Sequence, residues 1–149
     1  MDFRIMNALN STIQVKVISQ IIDSSGEKTD MTLYTPATYK HEHNKAFLMY
    51  EETEVSGMEG VKTLLSYDGK VLQIKRFGHL NSLLRVEVGE TYENTYKTQY
   101  GLFLMKTTGK KIKWTDSGHL NIEFHYLLEI EGDPNPPSEV HIIIEAERE

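Results

Sequence analysis

Residues 120–131 read Leu120-Asn121-Ile122-Glu123-Phe124-His125-Tyr126-Leu127-Leu128-Glu129-Ile130-Glu131. Leu120, Ile122, Phe124, Tyr126, Leu128 and Ile130 share one phase, and Asn121, Glu123, His125, Glu129 and Glu131 share the other. A period of two over this length is incompatible with a helix and describes a β-strand with one covered and one wet face, the mark of an antiparallel sheet. The same alternation recurs along the chain. Ile13, Val15, Val17 and Ile21 oppose Gln14, Lys16 and Gln20. Leu72, Ile74 and Arg76 oppose Gln73 and Lys75, and Val140, Ile142, Ile144 and Ala146 oppose His141, Glu145 and Glu147.

Turn signals punctuate these stretches. Asp23-Ser24-Ser25-Gly26, Asp68-Gly69, Phe77-Gly78, Val88-Gly89, Thr108-Gly109, Asp116-Ser117-Gly118 and Gly132-Asp133-Pro134 supply the dihedrals that tight reversals need. Between them the pattern predicts eleven strands, near 12–23, 28–40, 44–55, 60–67, 70–77, 81–88, 92–99, 102–108, 110–116, 119–131 and 138–147. Pro36 is expected to bend or interrupt the second, since proline cannot donate to a ladder. No stretch of ten residues carries a helical period; at most 2–9 form a helical turn. Strands of this number joined by tight turns suggest an up-and-down meander that closes on itself, which removes exposed edges. Closure of an antiparallel barrel needs an even count, so one predicted strand must merge, bend or lie outside; the junction in doubt is Thr98-Gln99-Tyr100-Gly101. The expectation is one all-β domain over 1–149, with 1–11 as a lead-in. It is an antiparallel up-and-down barrel of 8–10 strands with 12–23 and 138–147 at the seam.

The 149 residues suit one domain and need no metal or disulfide to fold. With 16 Lys+Arg against 22 Asp+Glu, the net charge of −6 argues against nucleic-acid and anionic-membrane partners. There is no cysteine, which excludes thiolate metal sites and thiol nucleophiles and fits a reducing compartment. Met1 to Met6 lack the apolar core of a signal peptide, and no run of about 18 apolar residues occurs. A cytoplasmic location is expected.

Strand phase assigns Ile13, Val15, Val17, Val61, Leu65, Leu72, Ile74, Val86, Ile112, Trp114, Leu120, Ile122, Phe124 and Leu128 to the interior. The polar residues sharing that phase are more informative. Arg76 follows Leu72 and Ile74; Tyr92, Asn94 and Tyr96 share one face of their strand; Tyr67 and Tyr126 add hydroxyls to apolar faces. A guanidinium on a buried phase must find an anion or several acceptors. Either Arg76 pairs with an internal carboxylate or reaches water at the rim, or it joins Tyr67, Tyr92, Asn94, Tyr96 and Tyr126 in binding the polar head of a small amphiphile. An apolar pocket with few polar groups is the usual construction of a small-molecule site.

No motif specifies a reaction, and no cofactor is expected. His41-Glu42-His43 sets two imidazoles on one face without a third ligand at a recognisable spacing, so a solvated loop is the expectation. Glu51, Glu52 and Glu54, like Glu145, Glu147 and Glu149, read as solvated carboxylates. There is no nucleophile elbow and no phosphate loop. Lys106, Lys110, Lys111 and Lys113 flank Trp114, but Trp114 has the inward phase, so no basic stacking surface for nucleic acid results.

Several short pieces occur in order. They are Tyr50-Glu51-Glu52, Gly60-Val61-Lys62-Thr63, Ile74-Lys75-Arg76-Phe77-Gly78, Tyr96-Lys97-Thr98-Gln99-Tyr100-Gly101, Met105-Lys106-Thr107-Thr108, and Gly118 followed by Tyr126-Leu127-Leu128. Over roughly 12–147 this series resembles the YwiB-like family, small β-barrel proteins of Gram-positive bacteria of the calycin (lipocalin-like) type. The resemblance implies a lipocalin-like barrel and brings no catalytic residue. Family members tend to carry proline where Gln99 stands. Likeness to lipocalins proper is architectural only: their early Gly-x-Trp is missing, and Ser24-Ser25-Gly26-Glu27 is too short for the helical lid of fatty-acid carriers.

The leading expectation is a non-enzymatic barrel that binds a small amphiphilic or anionic molecule through Arg76, Tyr96 and Tyr126. The rival is a solidly packed interaction or structural module, a homodimer for instance, because Leu127, Ile143 and Phe77 place apolar side chains on the polar phase.

Overall fold

The computed structural model describes residues 12–147, which build ten antiparallel strands: β1 (Thr12–Ile22), β2 (Lys28–Glu42), β3 (Lys45–Glu51), β4 (Lys62–Tyr67), β5 (Leu72–Phe77), β6 (Asn81–Val86), β7 (Thr91–Thr98), β8 (Gly101–Asp116), β9 (His119–Ile130) and β10 (Ser138–Glu147). Each strand pairs with its chain neighbour, and β10 returns to β1 to close the barrel, with Lys16 opposite Glu145 and Ile22 opposite Glu139. The expected architecture and seam are both present. The helical turn expected over 2–9 and the lead-in 1–11 lie outside the described residues. No helix among the described residues is long and apolar enough to cross a membrane.

The odd strand of the predicted eleven disappears at Gly109, and this corrects the reading of Thr108-Gly109 as a turn. The stretches 102–108 and 110–116 are one strand, β8, whose register against β9 shifts between Gly109 and Lys111. Such a bulge inserts a residue, so the inward phase passes from Met105 and Thr107 to Ile112 and Trp114 without the chain reversing. Gly109 is glycine for a different reason. A Cβ there would stand 2.2 Å from the Glu87 carbonyl oxygen, because the 87–90 segment lies against β8 at this point. Gly89 N–H donates to the Gly109 carbonyl and Gly109 N–H to that of Glu90. The junction in doubt, Thr98–Gly101, is a true turn with Thr98 opposite Gly101.

Pro36 does not interrupt β2. The β2–β3 ladder runs from the pair Glu42 and Lys45, across the two-residue turn His43-Asn44, to Ala37 opposite Tyr50. Pro36 lies one position beyond it, with its missing N–H on the β3 side, so no ladder bond is lost. β3 ends earlier than expected, at Glu51. Thr53 then caps a short 3-10 turn, Glu54–Ser56, by accepting from the Val55 N–H, and Gly57 closes it in the left-handed region.

The inward phase fills the barrel. Leu48, Leu65, Leu72, Ile74, Leu120, Ile122 and Phe124 are all less than 2% exposed. Ile13, Ile112, Trp114 and Leu128 are partly buried against them, and the other residues assigned to the interior from phase are buried. One joint is thin: β6 and β7 pair only at Asn81 with Lys97 and Ser82 with Tyr96.

Candidate functional site

In an up-and-down barrel all odd strands run one way, so their C-terminal ends and the N-terminal ends of the even strands share one mouth. Arg76 is the last inward residue of β5, and the register sets it opposite Thr63 on β4 and Ser82 on β6. The row continues to Tyr50 on β3 in one direction and to Tyr96 and Phe103 in the other. A band of polar inward positions therefore crosses five adjacent strands, β3 to β7, at this mouth, and Phe103 on β8 ends it with an apolar ring.

The band holds a buried carboxylate that its sequence run did not suggest. Glu52 is 6% exposed and takes a hydrogen bond from Thr63 Oγ1 at 2.5 Å. It also accepts from the Tyr50 phenol. Arg76 Nε stands 4.0 Å from Glu52 Oε2, close enough for charge attraction but too far for a hydrogen bond. Burial pushes the Tyr50 phenol well above the usual tyrosine range; the Glu52 charge adds to this and Arg76 opposes it. Tyr126, also buried, is raised by desolvation, with Arg76 again pulling the other way. Two buried polar atoms in this band, Arg76 Nε and Ser82 Oγ, find no hydrogen-bond partner among the described residues. They belong to residues directly opposite each other on β5 and β6.

Of the residues picked out from phase, Arg76 and Tyr126 come together, and Tyr96 lies on the same row beyond Ser82, its ring tilted against Phe103 at 6.4 Å. The other three do not join them. Asn94 is consumed by the fold: its Oδ1 accepts from the Arg85 N–H at 3.0 Å, and its Nδ2 donates to the Tyr92 carbonyl and to Thr107 Oγ1, each at 3.2 Å. With every polar atom engaged where β6 and β7 part, it bridges a gap in the sheet. Tyr92 donates its hydroxyl to Glu87 Oε1 at 2.7 Å, and that bond is the first cause of its raised pKa. Tyr67 ends β4, at the opposite mouth, stacked on Trp114 with 5.7 Å between centroids. There Trp114 Nε1 donates to the Tyr39 hydroxyl at 3.3 Å.

Sequence reasoning missed Glu52, Tyr50, Thr63 and Ser82. A signal existed for the first two, since the phase of Ala46, Leu48 and Tyr50 runs straight on to Glu52; membership in an acidic run masked it. No local pattern announces that the inward Ser82 hydroxyl goes unpartnered among the described residues.

Outside this mouth the titratable residues form other arrangements. His43 is exposed in the two-residue turn, 3.5 Å from Glu42. His125 stacks on His141 at 4.0 Å and contacts Glu123 at 3.2 Å on the outer wall, its pKa lowered first by burial and then by His141. Among the described residues no three His, Asp or Glu side chains converge on a metal position. Leu127, Ile143 and Phe77 are half-buried and form no exposed apolar patch.

The guanidinium and the carboxylate bring no net charge to the mouth, so what it presents is hydrogen-bonding capacity more than an attraction for anions. Apolar surface lies next to it: Phe103 and Ile130, on the inward phase where β8 and β9 pass the rim, are exposed.

Residues 15–142 match the family model described as Domain of unknown function (DUF1934). No curated protein matches the chain. Among solved structures the chain is similar to the crystal structure of ywiB protein from Bacillus subtilis, with a TM-score of 0.75 and 22% identity over 93% of this chain and 94% of that one. A likeness at that identity carries the fold.

Proposed function

The chain belongs to the DUF1934 family, and from that membership and its YwiB-like barrel we propose that it binds a small amphiphile, without catalysis, at the mouth lined by Arg76. The observation that carries this reading is the pair of buried, unpartnered atoms, Arg76 Nε and Ser82 Oγ, side by side in the register. A buried donor left unmade costs about 1–3 kcal/mol, and a ligand that accepts from it recovers that cost. Because Glu52 already balances the guanidinium charge, a neutral head with a carbonyl or hydroxyl suits the mouth better than an anion does. The tail lies on Tyr96, Phe103 and Ile130 at the rim, since the hydrocarbon of the lumen is occupied by Leu48, Leu65, Ile74 and Phe124. A calycin-like carrier in the cytoplasm is the setting this reading implies, in keeping with a chain free of cysteine.

Native mass spectrometry of the purified protein, with thermal-shift titrations of monolauroylglycerol and laurate, tests it. A retained amphiphile or a shift by monolauroylglycerol that exceeds the one by laurate, and that Arg76→Met abolishes, is the expected result. No bound mass and no shift with either probe overturns the reading.

A second reading, a solidly packed interaction module, is favoured by the filling of the lumen, where the largest inward side chains are all but sealed from solvent. It predicts that Arg76→Met changes stability and nothing else.

A further inference from the structure

We propose that the barrel forms a twofold homodimer in which the β7–β8 hairpin tip of each protomer seats in a groove at the base of the same hairpin on the other. Its main contacts are Leu102 and Leu104 on the outer wall and Tyr100 in the turn, apart from the mouth, while Phe103 and Ile130 are shared with the rim of the mouth.

Nine large hydrophobic side chains are exposed among the described residues, and five crowd this one corner: Tyr100 at 84%, Leu102 at 64%, and Phe103, Leu104 and Ile130. Clustering of that kind marks an interface, whereas single exposed apolar residues do not. The hairpin overhangs the barrel. The β8–β9 ladder begins at Met105 opposite Ile130, and beyond it the Leu104 carbonyl still accepts from the Glu131 N–H at 2.9 Å, so residues 101–103 of β8 pair with β7 alone. Below the overhang lies a groove of about 430 Å³ whose apolar lining comes from Leu104, Met105 and Ile130. Its rim carries Glu93, Glu129, Glu131 and Asp133 against the single cation Lys106.

The tip is chemically the complement of that groove. Lys97 is exposed directly opposite Leu102, and Tyr100 projects from the turn. Tip and groove sit a few residues apart on the same strand. A twofold axis crossing β8 near Leu102 therefore lays the tip of each copy over the groove of its partner, as an isologous contact requires. Tyr100 and Leu102 then cover the apolar lining, and Lys97 meets the carboxylates of the rim. The five side chains expose on the order of 500 Å² per protomer. Two copies together reach roughly 1,000 Å², the lower bound for a specific interface, so the dimer is concentration-dependent rather than obligate.

Analytical ultracentrifugation of the full chain, from low micromolar to submillimolar concentration, tests the proposal. The expected result is a rise towards twice the monomer mass that Leu102→Glu abolishes, with an unchanged circular dichroism melt as the control for folding. Lys97→Glu is expected to weaken the association at least tenfold, and mixing it with Glu131→Lys to restore a heterodimer. A monomer at every concentration overturns the proposal. So does a dimer indifferent to both Leu102→Glu and Lys97→Glu, since its contact would lie elsewhere.

Discussion

The two mouths of the barrel are built on one inward periodicity and finished in opposite ways. At the C-terminal ends of β2, β4 and β8, Tyr39, Tyr67 and Trp114 close the opening with rings, and the indole N–H is spent on the Tyr39 hydroxyl. At the C-terminal ends of β3, β5 and β7, Tyr50, Glu52, Arg76 and Tyr96 present polar groups, and two buried atoms there go unpaired. One mouth is internally satisfied and serves stability. The other gives up hydrogen bonds, and a protein that tolerates such a loss at one end of a barrel has placed a candidate site there.

Substitutions at the two ends should separate these roles. The largest effect is expected for Trp114→Ala, which removes the centre of the aromatic closure and should cost about 3 kcal/mol in urea denaturation while leaving any amphiphile binding intact. Glu52→Gln comes next. It strands the Arg76 guanidinium, whose side chain is 17% exposed, and should cost about 2 kcal/mol. Adding Arg76→Met to Glu52→Gln should recover part of that loss, a coupling visible in a double-mutant cycle. If Glu52→Gln proved neutral, the polar mouth would be no more than rim solvent.

Alkaline pH acts on the polar mouth through Tyr50 and Tyr126, and on the opposite mouth through Tyr67, whose phenol burial also raises. Below the ordinary tyrosine value of 10.0 the Tyr50 and Tyr126 phenols are protonated in both folded and unfolded chains. Above it the unfolded chain releases protons that the folded chain retains, so stability falls as pH rises towards the folded values. Absorbance at 295 nm should show the two buried phenols ionising only as the barrel opens. The smallest effect is expected for Ser82→Ala. Removing a hydroxyl with no partner should leave the protein unchanged or more stable by up to about 1 kcal/mol, while weakening the response to monolauroylglycerol. A clear loss of stability would mean that Ser82 is paired after all.

Much of the barrel was legible because strand phase is local. Leu120 to Ile130 declare a covered face, and Arg76 inherits its inward position from Leu72 and Ile74. What was illegible depends on contacts between distant segments. Gly109 and a turn glycine look alike in sequence, and only the passage of Glu87 across β8 distinguishes them. The change of phase between Thr107 and Ile112 fits a reversal or a bulge equally well. Glu52 was legible by phase yet hidden by its acidic neighbours. Asn94 pointed inward as expected, but its role was set by the parting of β6 from β7, a property of the whole sheet.

That parting has a kinetic side. A closed cylinder offers a solute no lateral way in unless part of its wall can come apart cheaply, and the two paired positions between β6 and β7 make this the cheapest line of opening. It runs beside Ser82 and Tyr96, so transient unzipping there would admit a guest without disturbing the hydrocarbon below. Native-state hydrogen exchange should accordingly find the β6 amides facing β7 trading deuterium long before those of β8 and β9, and a guest that docks should slow them.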